Sequence, residues 1–212
     1  MFKFSMRGFQ KNNDSLKKVQ DEIFKCKKCP LYKERKKLKI FPVVGEGNYR
    51  AKIIFIGEAP GANEAKTGHP FCGKAGKVLD YLLDSVNIKR KDIYITNILK
   101  DKPPSNRNPN QKEINTCGHY LQRQIEIIKP KVICSLGNFS TKYIFEKYNL
   151  KDKLKGISKI HGKVFESQDT FEKIKIIPFY HPAVALYNVN MKKILRKDFQ
   201  VLKGTKKLKD KK

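Results

Sequence analysis

The chain has 212 residues, 39% of them hydrophobic, with 13 Gly, which is enough apolar material for one cored domain or two and excludes a wholly disordered chain. Forty-seven basic residues against 20 acidic give a net charge of +27, which points to a polyanionic partner: DNA, RNA or an anionic membrane surface. No run of 18 apolar residues exists, so no segment spans a bilayer.

The stretch Met1–Arg7 lacks a signal-peptide apolar core, so an intracellular location, cytoplasm or nucleoid, is expected. In such a compartment the five cysteines read as metal ligands or buried thiols rather than disulfides. Cys26-Lys27-Lys28-Cys29 has CxxC spacing, but no strand precedes it, which argues against a thioredoxin-like redox motif. With one or two distant cysteines it could hold zinc or an iron–sulfur cluster, and spacing does not choose between them. Most of the positive charge is Lys, spread along the whole chain, so a Lys-rich surface laced with ion pairs is a second explanation of the charge.

Four short apolar runs read as buried strands: 52–57 (KIIFIG), 93–98 (IYITNI), 132–137 (VICSLG) and 174–180 (IKIIPFY). They are β-branched and continuous rather than alternating, as when both faces of a sheet are covered. Helical patterns lie between them, over 74–86, 111–128 and 139–148. This order predicts an α/β fold, a three-layer α/β/α sandwich with a four-stranded, mainly parallel sheet. One domain over 1–202 is expected, followed by a basic tail over 203–212 read as a disordered, solvated end, with a phosphate-binding arm as its alternative. Right-handed crossovers place the loops after each strand on one edge, where ligands bind.

The first of these loops, Gly57 to Gly76, carries Gly57, Pro60, Gly61, Gly68, Pro70, Gly73 and Gly76. It is neither a Walker loop nor GxGxxG. An ordinary Gly-Pro strand exit is the plain alternative, but Phe71 is oddly placed for a core residue and suits a platform for a planar ligand. Asn97 ends the second strand, where one amide offers donors and an acceptor in a plane. Lys100 to Pro109 is a stiff basic loop suited to phosphates, with Lys100 and Arg107 as candidates. His181, before Pro182, follows the last strand and would face the same crevice. His119 and His161 read as ordinary surface or structural residues, and Cys134, inside a strand, as an inert thiol.

Taken together, GEAPG (57–61), GHPFCGKAG (68–76), TN (96–97), PPSNRNP (103–109) and YHPA (180–183) resemble the thermostable, iron–sulfur-containing uracil-DNA glycosylases, often called family 4. The resemblance runs from about Cys26 to Leu202. It implies a uracil-glycosylase α/β/α sandwich that hydrolyses the bond between uracil and deoxyribose in DNA, leaving an abasic site. Phe71 would stack on the flipped base, and Asn97 would read its polar edge. Gly57, Glu58 and Ala59 would line the base pocket. His181 would stabilise negative charge on uracil O2, and Glu64 would position the water or the base. Leu186 resembles the residue that wedges into the minor groove.

The resemblance also implies a cluster held by four cysteines. Cys26, Cys29 and Cys117 match, but the remaining position is Asp101, sixteen residues before Cys117. The expectation is a [4Fe–4S] cluster with Asp101 as a ligand, a labile three-iron form, or none. The expected partners are uracil-containing DNA and replication or repair proteins, with no membrane, and the expected state is a monomer. The alternative function is a non-catalytic DNA- or uracil-binding module of the same fold, and retention of both Asn97 and His181 favours the enzyme. A branch that cross-links itself to the abasic site would need a His near the second motif, and none lies between Asp101 and Cys117.

Overall fold

Short apolar strands that alternate with one-sided helices can satisfy both only by building a sheet covered on two faces. The computed structural model describes residues 3–167 and 173–207. Two helices come first, α1 (Lys3–Lys25) and α2 (Leu31–Leu38). The edge strand β1 (Glu46–Gly47) leads into β2 (Ile53–Gly57), α3 (Ala62–Thr67), α4 (Lys74–Asp84) and β3 (Tyr94–Asn97). Next are α5 (Gln111–Ile128), β4 (Val132–Leu136), α6 (Asn138–Lys147), α7 (Ile157–Ile160) and β5 (Phe165–Ser167). β6 (Ile174–Phe179), α8 (Val184–Tyr187) and α9 (Val189–Phe199) close the order.

The strands form one sheet in the order β1-β3-β2-β4-β6-β5. The inner four are parallel and are the four apolar runs of the sequence. The outer two pair antiparallel and are only two and three residues long. Such short strands have no periodicity to read, which is why the sheet has six strands where four were expected.

Side chains alternate across this sheet. Ile54, Ile56, Ile133 and Ile176 meet Leu121 and Ile125 of α5 and Phe145 of α6 on one face. Phe55, Ile95, Cys134 and Phe179 meet Leu79 and Leu82 of α4 and Leu195 and Phe199 of α9 on the other. Full burial of each large apolar side chain stabilises the fold by roughly 1.5–3 kcal/mol. The layers are therefore fixed by apolar contacts, and the loops at the strand ends are left to carry polar groups.

Helix α5 occupies the predicted span, because Asn110 and Glu113 form a reciprocal capping box at its start. Helices α1 and α2 were not anticipated. In α1 the buried stripe is narrow: Val19 and Ile23 cluster with Tyr120 of α5 and Val44, and Leu16 joins the core that contains Leu121 and Ile125. An ion pair between Glu22 and Arg123 joins the same two helices. After α9 the chain continues in 3-10 turns over Gln200–Lys207, and residues 208–212 of the expected 203–212 tail lie outside the described residues. No helix among the described residues is long and apolar enough to cross a membrane.

The parallel register pairs Gly57 with Asn97 and Leu136 with Phe179. The carboxyl ends of the inner strands thus finish along one edge, with His181 two residues beyond β6. The chain's chemistry gathers there.

Candidate active site

A cleft of about 380 Å³ opens at this edge. Glu58, Ala59, Glu64, Phe71, Asn97, Arg107 and His181 line it. Gly57, expected in the pocket wall, is not one of the lining residues; it lies behind two of them, Asn97 and Phe71. A Cβ there would overlap Oδ1 of Asn97 and lie 2.9 Å from Cζ of Phe71. The bare backbone at Gly57 lets the Asn97 amide and the Phe71 ring lie close together.

Phe71 is buried although it stands on a loop, and its backbone is left-handed, with φ 48°. That conformation is costly for a bulky residue, by about 1–3 kcal/mol, and needs surrounding contacts to hold it. One is provided by Gly76 at the start of α4, where any Cβ would collide with the Phe71 carbonyl. The ring lies 5.6 Å from that of His181, inclined by 31°.

The His181 ring is directed by its own turn. The backbone N–H of Ala183 donates to Nδ1 at 3.2 Å. With Nδ1 accepting, the neutral ring carries its proton on Nε2. Burial pulls the His181 pKa down to about 4, against a smaller opposing effect of the Glu64 carboxylate, so the ring is neutral at pH 7.

Two carboxyl groups border the cleft. Burial raises the pKa of Glu58 above its ordinary value. Glu64 is oriented by the Gly73 N–H, which donates to its Oε1 at 2.9 Å. Ala59, on the same wall, offers no carboxylate.

The basic loop is divided. Lys100 does not face solvent as a phosphate ligand would; this is a correction to the reading of the loop. It is 1% exposed, and Nζ donates to Thr96 Oγ1, the Asn97 carbonyl and Gln124 Oε1 at 2.7–2.8 Å. Burial pulls its pKa down to about 7. Arg107 is exposed and lines the cleft, with its guanidinium held in two contacts, 2.6 and 2.9 Å, by the fully buried Glu113. Leu186, on α8 after His181, is exposed. The lining residues Pro103, Asn106 and Ala183 were not singled out in the sequence. The first two belong to PPSNRNP, where consecutive left-handed residues, Ser105 and Asn106, fold the loop back onto the cleft.

The cluster position is rearranged. Cys29 and Cys117 are buried with Leu31 and Leu99 in an apolar cluster, and burial raises both thiol pKa values, that of Cys117 to about 12. Asp101 is not presented as a ligand: both its oxygens accept from Nη1 of Arg35, at 3.1 and 3.3 Å. Among the described residues, no group of three or more His, Cys, Asp or Glu is placed to hold a metal ion. The donor set of Cys26, Cys29, Asp101 and Cys117 therefore does not fit the four-ligand cluster that the resemblance implies. The sequence reading missed Arg35, whose one signal was its place four residues after Leu31, on the buried side of α2.

A family model described as the uracil DNA glycosylase superfamily matches residues 44–203. A type-4 uracil-DNA glycosylase of Sulfurisphaera tokodaii is 45% identical over 90% of this chain and 84% of its own length. One of Saccharolobus solfataricus is 47% identical over 90% and 86%. One of Archaeoglobus fulgidus is 43% identical over 88% and 91%. With the cleft at the sheet edge and a match over most of its length, this chain belongs to the uracil DNA glycosylase superfamily.

Proposed function

We propose that the chain is a DNA-repair glycosylase that hydrolyses the N-glycosidic bond of uracil flipped out of DNA. The observation that carries this reading is the convergence of Phe71, Asn97 and a neutral His181 on one cleft. A uracil ring stacks on Phe71, and the Asn97 amide pairs with its polar edge. As the C–N bond breaks, its electron pair leaves with uracil and the sugar gains oxocarbenium character. The Nε2–H of His181 donates to the oxygen on which negative charge grows. A donor aimed at such an anion is commonly worth roughly 3–4 kcal/mol. A neutral imidazole suits this role, because its N–H stays in place without first needing a proton from solvent.

Water adds to the sugar carbon as uracil departs, and Glu64, oriented by the Gly73 amide, is the carboxylate proposed to position it. The relatives named for uracil in DNA support DNA as the partner of this chain, with Arg107 and Leu186 as its contacts at the rim. The test is uracil release from matched oligonucleotides carrying uracil or thymine. Release from the first and none from the second is expected, and no release from either would refute the reading.

A further inference from the structure

The Phe71 platform rests on a residue that lies outside the cleft. The Pro70 carbonyl, in the peptide just before Phe71, accepts from Nη2 of Arg90 at 2.6 Å. The same guanidinium donates to Oε1 of Glu46 through Nε and Nη2, at 3.2 and 2.8 Å, and to Oδ1 of Asp80 through Nη1 at 2.9 Å. The other Glu46 oxygen is 2.9 Å from Nδ1 of His69, two residues before Phe71. Glu46 belongs to β1, Asp80 to α4, and Arg90 to the 3-10 turn Arg90–Asp92 that leads into β3. One planar group thus ties an edge strand, a helix and the turn before the base-reading strand to the loop that bears the platform.

We propose that Arg90 is a positioning residue for substrate binding: it holds the Pro70–Phe71 peptide so that the ring stays over the base pocket. Phe71 needs such a hold because its left-handed backbone is not one that the residue adopts by itself. Gly76 lets α4 come close to the Phe71 carbonyl, and Arg90 holds the carbonyl of the preceding residue. The donors must point in three directions within one plane, which a guanidinium does and an ammonium does not. Glu46 and Asp80 orient the fork, so that its last donor is aimed at the Pro70 carbonyl.

The substrate arm of the test rests on the uracil reading above; a second arm does not. A double-mutant cycle joins Arg90→Met with Phe71→Leu. On the wild-type background, Arg90→Met should lower single-turnover uracil release about tenfold and weaken inhibition by free uracil to a similar degree. On the Phe71→Leu background it should change either quantity by less than about twofold. Arg90→Lys should fall between. Equal losses on both backgrounds, as a general loss of folded protein would give, would overturn the proposal. The independent arm is amide hydrogen exchange. Exchange over 69–75 should quicken in Arg90→Met while β2 and β4 stay protected, and unchanged exchange there would overturn the proposal whether or not uracil is released. A wild-type protein that releases no uracil refutes the function and leaves this arm to decide the role of Arg90.

Discussion

The guanidinium of Arg35 lies against the carboxylate of Asp101, with Nη1 3.1 Å from Oδ1. The same group donates to the carbonyls of Ile23, Phe24 and Cys26, at the end of α1 and the start of the CxxC segment. A cation at a helix C-terminus is favoured by the unpaired carbonyls there. One side chain therefore joins α1, the CxxC segment and the loop after β3, three parts of the chain that an inorganic cluster on those cysteines would also have joined. Arg35→Met leaves a buried carboxylate unpaired and should destabilise the protein by about 3–5 kcal/mol in denaturant titrations. The double change Arg35→Met with Asp101→Leu should recover much of that loss. A loss no smaller than that of Arg35→Met alone would show that the pair is not what holds the segment.

Asp101→Cys restores the thiolate expected from the family pattern and removes the acceptor of Arg35. Iron and sulfide assays on protein prepared without oxygen should find more of both in the variant than in the wild type. Carboxylate is a harder ligand than thiolate, so any iron bound in the wild type should be the more exchangeable. Wild-type protein with a full, air-stable complement of four irons would contradict the donor geometry described here.

His181 gives two expectations. His181→Ala should lose at least about tenfold in single-turnover rate, from lost stabilisation of the leaving anion. The second concerns stability. The folded pKa, about 4, lies below the ordinary 6.5, so the unfolded chain takes up the proton first as pH falls. The contribution is complete above pH 6.5 and declines toward pH 4, by up to about 3 kcal/mol. Stability curves of wild type and His181→Gln should converge over that window, and parallel curves would place the neutral ring in doubt.

Asn97→Asp replaces a donor amide by an acceptor and should relax discrimination against cytosine. Release from paired uracil and cytosine oligonucleotides gives the ratio directly. Gly57→Ala, which drives a methyl group into the Asn97 amide, should lower uracil release without relaxing the ratio in the same way.

Lys100→Met should leave the salt dependence of DNA binding unchanged, since the ammonium is buried, and should lower thermal stability instead. A shallower salt slope in this variant would return Lys100 to the phosphate contacts.

The inner sheet was legible because each of its strands is a continuous β-branched run, and α5 because its cap is written in Asn110 and Glu113. The cleft was legible through Phe71 on a glycine-rich loop, Asn97 at the end of a strand and His181 just after one, tied together by the family motifs. What stayed hidden depends on distance in sequence. Arg35 and Asp101 are far apart along the chain, as are Arg90 and Glu46, and nothing local marks either pair. Lys100 looked like a phosphate contact because it precedes a basic loop, whereas its burial is set by Gln124, a helix away.

Gln124 itself is fully buried, and each end of its amide is used. Its nitrogen donates to the Val44 carbonyl at 2.9 Å and to the Tyr94 hydroxyl at 3.2 Å, while its oxygen receives Lys100. A glutamate there would give the lysine a counter-charge but turn an acceptor toward Val44; a leucine would leave the ammonium one partner short. Either change reaches the Asn97 peptide, which Lys100 also holds. On the proposed function, base choice at the sheet edge is therefore sensitive to substitution at Gln124, a helix position outside the cleft lining.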